Sequence, residues 1–166
     1  MREKLCRLCK NTELYTILDL GYTPISDQIL TLSQLEQPET SYPITLNSCN
    51  KCGFCQLGYV VPPELMYNEN YSYDGSATTT LKNHHISMAN QICDDFKLKE
   101  KSLVMDIGSY AGVLLSGFRD KGMKVLGIDP SINVANIARK KGINVIGEFF
   151  SSKLAKKIRE EHGEVS

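Results

Sequence analysis

The chain has 166 residues, 42% of them apolar, and its 19 basic side chains balance 19 acidic ones. That length allows one ordinary domain, or a small domain joined to part of a larger one; zero formal charge without a basic stripe argues against a nucleic-acid binder. No apolar run approaches the about 20 residues of a membrane span and no signal-peptide stretch precedes Cys6, so the reading is a cytosolic protein whose six cysteines point to metal or redox chemistry before disulfides.

Residues 14–20, 42–47 and 53–61 have the apolar spacing of short strands, the last bounded by Pro62-Pro63. Residues 21–40, with Pro24 and Pro38, read as a long connection. Three short strands and long loops make a poor apolar core, and such a unit needs a staple. Pro62-Pro63-Glu64 suits a helix start. Tyrosines then concentrate among turn residues over 67–76. Leu81, His85, Met88 or Ala89, Ile92 and Phe96 recur at helical spacing and predict an amphipathic helix over about residues 78–97, with Cys93 as a buried apolar side chain.

From Ser102 onward strands and helices alternate. Residues 103–107, 124–128 and 143–146 are strand candidates; 112–121, 131–141 and 151–161 are helix candidates, with Ser131 and Ser151 as expected N-caps and Gly142 closing the second. The basic stretch 153–159 is followed at once by Glu160, Glu161 and Glu164, as on one charged face of a surface helix. This βαβαβα order predicts a parallel sheet with right-handed crossovers, the first half of a doubly wound, Rossmann-like domain. The expected class is therefore α/β, with a small metal-binding domain over 1–70, a tyrosine segment and connecting helix over 71–101, and an incomplete Rossmann-like domain over 102–166.

Two C-x2-C turns commonly build a tetrahedral zinc site, because that spacing directs both sulfurs to one point. Cys6/Cys9 is one such turn. Cys49/Cys52 is favoured over Cys52/Cys55 as the second, because Gly53 would let the backbone pass close to metal-bound sulfurs and because Cys55 shares strand register with Leu57 and Tyr59, toward a core. The 39 residues between Cys9 and Cys49 require the intervening strands to bring the second pair back. Neither pair leads from a strand into a helix, as a redox C-x-x-C does. Four thiolates make a closed, structural site.

At the end of the first alternating strand the chain reads Asp106-Ile107-Gly108-Ser109-Tyr110-Ala111-Gly112. Glycines here are expected where a cofactor lies against the backbone and a Cβ would collide, and the helix start offers free N–H groups to an anion. Asp129 lies 23 residues beyond Asp106, at the position of an acid that holds ribose hydroxyls. The dinucleotide fingerprint G-x-G-x-x-G is absent, which disfavours a nicotinamide enzyme. The pattern acid-x-Gly-x-x-x-Gly resembles motif I of class I S-adenosylmethionine methyltransferases.

Both halves together resemble the zinc-containing sugar C-methyltransferases of deoxysugar biosynthesis. The matching stretches run in order: Cys6-Arg7-Leu8-Cys9, Leu18-Asp19-Leu20-Gly21 with Pro24-Ile25-Ser26-Asp27, and Cys49-Asn50-Lys51-Cys52-Gly53 with Gln56-Leu57. They continue through Tyr71-Ser72-Tyr73, Asp106-Ile107-Gly108-Ser109, Gly127-Ile128-Asp129-Pro130-Ser131 and Phe149-Phe150. The resemblance implies zinc on Cys6, Cys9, Cys49 and Cys52, and S-adenosylmethionine on Asp106, Gly108, Ser109, Gly112 and Asp129, with Glu148 and Phe149 flanking the adenine. It also implies a tyrosine segment folded over the cofactor, with Tyr71 or Tyr73 near the reacting groups, and a nucleotide-linked 4-keto-6-deoxysugar as substrate. His84 and His85 are read as structural.

The family usually carries Asn-Asp where this chain has Tyr110-Ala111, and it continues beyond the position of Ser166 through a fourth strand and a histidine-bearing catalytic region. The expectation is accordingly a polypeptide that is inactive alone, with its main base beyond residue 166 or on a second chain that supplies the missing half. The alternative is a non-catalytic, zinc-stapled interaction module derived from such an enzyme. A zinc-ribbon nucleic-acid binder ranks last, given the charge balance.

Overall fold

The computed structural model describes residues 3–67, 71 and 78–165. The chain divides into two compact units, Met1–Met66 and Tyr67–Ser166. Among the described residues no helix is long and apolar enough to cross a membrane.

In the first unit β1 (Leu14–Thr23), β2 (Tyr42–Cys49) and β3 (Cys55–Leu57) pair antiparallel in that order. β1 runs past the expected residue 20 because Gly21 bulges the strand instead of ending it. The register shifts between Asp19 and Tyr22, Gly21 takes φ +75°, and its N–H donates to Asp19 Oδ1 at 2.8 Å. The connection to β2 contains a 3-10 turn at Leu32–Gln34, and a short helix α1 (Pro63–Met66) follows the sheet. Among the described residues of this unit the buried side chains are Cys6, Ser48, Cys49 and Gln56, with no aliphatic side chain among them.

The register of β3 overturns one expectation. Cys55 and Leu57 are exposed and Gln56 is buried. Polar satisfaction decides this alternation: Gln56 Nε2 donates to the Leu5 carbonyl at 3.0 Å, and its Oε1 accepts the Arg7 N–H at 2.8 Å. A buried amide with both ends paired carries no desolvation deficit.

In the second unit β4 (Leu103–Ile107), β5 (Lys124–Ile128) and β6 (Val145–Ile146) form a parallel sheet in chain order. Strand alternation sorts the side chains between two layers. Leu103, Met105, Leu126 and Ile128 pack with Leu154 and Ile158 of α5 (Ser152–His162). Val104 and Val125 face the opposite layer, built from α2 (Thr79–Asp95), α3 (Val113–Asp120) and α4 (Ile132–Lys140). Asp106, two residues from Val104, shares that second layer.

The helix caps divide. Ser151 caps α5 as expected, its Oγ accepting the Leu154 N–H at 3.1 Å. Ser131 occupies the N-cap position of α4, but its buried Oγ makes no cap bond. The first turn is anchored instead by Asp129, whose Oδ1 accepts the Ser131 N–H at 2.9 Å. On α2 Ala89 and Cys93 are buried, while Phe96, expected on the apolar face, is 74% exposed because the helix has already ended there.

α2 meets α3 closely at Gly117. A Cβ there would stand 2.7 Å from Ala89 Cβ and 3.3 Å from Ile86 Cα. Gly117→Ala is therefore expected to destabilise the chain by about 1–3 kcal/mol through overpacking, outweighing a gain of about 1 kcal/mol in helix propensity. Urea unfolding checks this, and unchanged or raised stability would show that the two helices separate freely.

Candidate metal centre and glycine-loop cavity

The two C-x2-C turns of the first unit adopt the same geometry. The N–H after each second cysteine donates to the carbonyl of the first: Lys10 to Cys6 and Gly53 to Cys49, each at 2.9 Å. Both following residues are left-handed, Lys10 at φ +63° and Gly53 at φ +71°. A Cβ on Gly53 would meet nothing within 4 Å. The glycine thus serves the backbone conformation, which a non-glycine residue adopts at strain, and not a close approach to sulfur as expected.

β1 and β2 bring the turns together by pairing Leu14 with Cys49. The Sγ atoms of Cys6, Cys9, Cys49 and Cys52 all lie within 4.8 Å of one another, with Cys6–Cys52 and Cys9–Cys49 both at 3.6 Å. A tetrahedral zinc with Zn–S bonds of about 2.3 Å sets its sulfurs about 3.8 Å apart, so the donor set fits that ion in chemistry and spacing. Cys55 lies outside the cluster, exposed, its thiol against the Gly53 carbonyl at 3.7 Å.

The thiols are electrostatically coupled. Backbone N–H donation from Cys9 lowers Cys6 against the effect of burial. For Cys49 burial works upward, yet the N–H groups of Cys52 and Lys51 and the neighbouring thiols bring it down to about 6. At Cys52 the Phe54 N–H works downward, while burial and the sulfurs of Cys9, Cys6 and Cys49 push it up to about 12. Zinc takes thiolates, so metal uptake must expel the proton that crowding keeps on the cluster. Calorimetry in buffers of different ionisation enthalpy is expected to find at least one proton released per zinc near about pH 7; zero release would contradict a four-thiolate site.

Gln56 is the residue of this centre that motif reading missed as a functional part. Its amide ties Leu5 and Arg7, on either side of Cys6, to β3. The available signal was its alternation with Cys55 and Leu57 along a short strand.

In the second unit the glycine loop is folded over the end of β5. Gly108 and Ser109 donate N–H bonds to the Ile128 carbonyl at 2.8 and 3.2 Å. Asp129 is 3% exposed, and each of its oxygens accepts a backbone N–H: Oδ2 from Tyr110 and Oδ1 from Ser131, both at 2.9 Å. This carboxylate ties the loop to the start of α4, an arrangement the expected ribose role did not include. Gly108 has φ +80° with open space where a Cβ would stand. At Gly112, φ +71°, a Cβ would meet Ala138 Cβ and Ile143 Cγ1, both at 3.1 Å. Packing against α4 and the chain entering β6 thus constrains a Cβ at Gly112 in its own right.

Tyr110 sits at φ +46° and stacks on Tyr71, ring centroids 6.1 Å apart at 22°, while Tyr71 also meets Tyr67 edge-on at 5.5 Å. Asn133 Nδ2 donates to the Tyr71 carbonyl, which ties the described part of the tyrosine segment to α4. Tyr73 lies outside the described residues. Glu148 and Phe149 follow β6 and are exposed.

Beneath the loop lies a cavity of about 200 Å³ lined by His85, Asp106, Gly108, Ser109, Tyr110, Ala111, Val113 and Leu114. Two of the lining residues carry a buried polar atom, His85 Nδ1 and Ser109 Oγ, that has no hydrogen-bond partner among the described residues. Burial pushes the Asp106 carboxyl up from its usual range; His85 lowers it again and Asp129 raises it. The Asp106 carboxyl on the wall and the start of α3, whose first N–H groups helix geometry leaves without intrahelical partners, fit a polar ligand group.

Residues 6–67 match a family described as "Putative zinc binding domain". Over 158 residues the chain is 27% identical to the C-methyltransferase NovU of Streptomyces niveus, a match covering 95% of this chain and 37% of that protein. An uncharacterized methyltransferase of Alkaliphilus oremlandii is 30% identical over 92 residues, covering 54% of this chain and 42% of that one. The chain thus matches about two fifths of the length of these relatives. Among solved structures, an S-adenosylmethionine-dependent methyltransferase of Aquifex aeolicus matches with a TM-score of 0.35 at 26% identity, covering 48% of each chain. One from Geobacter sulfurreducens, in complex with S-adenosylhomocysteine, matches with a TM-score of 0.33 at 21% identity, covering 55% of this chain and 40% of that one.

Proposed function

From a chain related to methyltransferases along 95% of its length and carrying a zinc-binding domain at residues 6–67, we propose the metal-stapled, cofactor-holding part of an S-adenosylmethionine-dependent C-methyltransferase acting on a nucleotide-linked 4-keto-6-deoxysugar. The observation that carries this reading is the glycine-loop cavity, lined by Asp106, His85 and the start of α3, in a chain whose similarity to a C-methyltransferase covers 95% of its residues.

S-adenosylmethionine, when bound, supplies an electrophilic methyl group on a sulfonium. In this reading Asp106, Gly108, Ser109 and Gly112 belong to the loop that receives its amino-acid end, Asp129 fixes that loop, and Glu148 and Phe149 are assigned to flank its base. The Tyr71 hydroxyl, with that of Tyr73, is the proposed donor to a developing enolate oxygen. Tyrosine, with an ordinary pKa of about 10, is a poor base at neutral pH. The base that removes the proton beside the sugar ketone is accordingly assigned to a second polypeptide or to sequence beyond these residues. Cys6, Cys9, Cys49 and Cys52 hold zinc with no open position, so the metal is structural and takes no part in the transfer.

Methyl transfer from S-adenosylmethionine to a nucleotide-linked 4-keto-6-deoxysugar, assayed on the zinc-loaded chain, is expected to give cofactor binding without turnover. Robust turnover by the isolated chain would overturn the assignment of the base elsewhere. Absence of S-adenosylhomocysteine binding with zinc retained would instead favour the zinc-stapled interaction module.

A further inference from the structure

The two faces of the first unit's sheet differ in chemistry, and the polar face is hollow. Residues paired across an antiparallel ladder share a face, as do alternate residues along one strand. Thr16 pairs with Asn47, Asp19 with Thr45, and Tyr22 with Pro43. With Gly58 and the neighbouring rings of Tyr42 and Tyr59, these residues line a groove of about 630 Å³. That volume falls within the about 300–1,000 Å³ of small-molecule sites. The groove lies wholly inside the first unit, and neither the four zinc-cluster cysteines nor the glycine loop contributes to it.

A polar sheet face ordinarily meets water and nothing more. Here its groups are held in place. Thr16 Oγ1 donates to Asn47 Oδ1 at 2.9 Å, which fixes the amide and leaves its Nδ2 as the donor end. That Nδ2 stands over Gly58. A Cβ on Gly58 would lie 2.8 Å from it and would overlap Thr45 Oγ1, so glycine at this position keeps both polar groups on the floor. The bulge of β1 sets the wall. Asp19 Oδ1 is held by the Gly21 N–H at 2.8 Å, and beyond the bulge Tyr22 stands opposite Pro43 with 75% of its surface exposed. Bulges commonly re-aim a side chain in this way beside a binding site. Tyr42 meets Tyr59 with ring centroids 5.8 Å apart at 33°.

We infer that this groove is a binding site for a neutral pyranose ring. A sugar ring carries hydroxyls that donate and accept around its rim, and apolar C–H groups on its two faces. Asn47, Thr16 and Thr45 supply donors and acceptors, and the Asp19 carboxylate accepts from hydroxyls. The tyrosines supply flat apolar surface with a polar tip. Among the described residues no lysine, arginine or histidine lines the groove, so a phosphate or a uronic acid finds no counter-charge there. The recognised chemistry is the hexose ring itself, whether it is carried on a nucleotide or belongs to a glycan. The site needs only the first unit and does not depend on the cofactor reading of the second.

The test is titration of the zinc-loaded, nitrogen-15-labelled protein with methyl glucopyranoside, maltotriose, uridine diphosphate glucose, uridine diphosphate alone and tetramethylammonium chloride. The three sugars are expected to shift the amides of Thr16, Asp19, Thr45, Asn47 and Gly58, with a dissociation constant of about 1 mM for the methyl glycoside. Uridine diphosphate and tetramethylammonium should leave those amides in place. Tighter binding of uridine diphosphate glucose than of maltotriose assigns the ring to a nucleotide-linked source, and the reverse order assigns it to a glycan; either order upholds the pyranose site. Tyr22→Ala and Asn47→Ala are expected to weaken the methyl glycoside about fivefold or more. Ile29→Ala, 80% exposed and outside the groove, is the control. Zinc content and amide dispersion report whether each variant folds, and the wild-type shift map does not depend on any of them. No movement of the groove amides with sugar at about 50 mM would overturn the site. Equal movement with uridine diphosphate alone or with tetramethylammonium would also overturn it, as would unchanged affinity in the folded variants.

Discussion

Cys49→Ser, or extraction of the metal by a strong chelator, is expected to unfold the first unit while leaving the second folded. The cause is the composition of the first unit's interior. Among the described residues its buried side chains are two cysteines, a serine and a glutamine, and the larger of its apolar side chains on β1, such as Tyr15, Ile17, Leu18 and Leu20, are each about half exposed or more. A fully buried aliphatic side chain contributes about 1.5–3 kcal/mol, and the described residues of this unit include none to set against the ordering of its loops. A structural zinc contributes about 10–16 kcal/mol of apparent binding free energy, which in such a unit is folding free energy. Cys49 is 2% exposed and contacts Cys9 across the cluster, so serine there removes a ligand and leaves a polar group among the remaining thiolates. Loss of dispersed amide signals for residues 3–66, with those of 78–165 retained, is the expected NMR result. Cys55→Ser should leave zinc content intact and stability within about 0.5 kcal/mol, since its side chain is exposed and outside the cluster. A folded, zinc-free first unit would refute the staple.

The second large effect is expected at Asp129. Its two oxygens each accept one backbone N–H, one from Tyr110 in the loop and one from Ser131 at the start of α4, and the residue is 3% exposed. Hydrogen bonds to a charged group contribute about 1.5–3 kcal/mol each, so Asp129→Ala is expected to destabilise the second unit by about 3 kcal/mol or more and leave two orphaned donors. Asp129→Asn nearly preserves shape and is still expected to fail in part, because an NH₂ group would then face a backbone N–H. Tyr110 stands at φ +46°, a conformation that costs a non-glycine residue about 1–2 kcal/mol and that the Asp129 bond holds in place. Without that bond the loop should relax, and S-adenosylhomocysteine affinity should fall by about tenfold or more. Urea unfolding and the amide shifts of Tyr110 and Ser131 check the structural part. Unchanged stability in Asp129→Asn would show that the loop is held by other contacts.

Much of the fold was legible in the residue pattern because its elements obey local rules. β4 and β5 fall at residues 103–107 and 124–128 as expected, since both are short, mostly apolar runs that end at Gly108 and at Asp129. Ser151 was legible as a cap because an N-cap needs only its own helix. Ser131 occupies the same kind of position and makes no cap bond. Its turn is served by a carboxylate that the strand end delivers, and local pattern does not report such a competitor. Cys55 misled for a related reason. Apolar alternation favoured it as an inward residue, but the backbone groups beside Cys6 need the Gln56 amide, and those groups come from a segment about fifty residues away in sequence.

By itself the sequence determined which chemistry is present: paired C-x2-C thiols for a metal, an acid and glycines at a strand end, and the alternating order that makes a parallel sheet. These are matters of residue type and short spacing, set by local geometry. Tertiary structure decided which groups meet. It closed the four sulfurs to within 4.8 Å by pairing β1 with β2, and it turned Gly112 toward Ala138 and Ile143. It also set His85 of α2 on the same cavity wall as Asp106 of β4. Such meetings depend on how strands pair and helices cross, which follows from burying apolar faces across long separations in the chain.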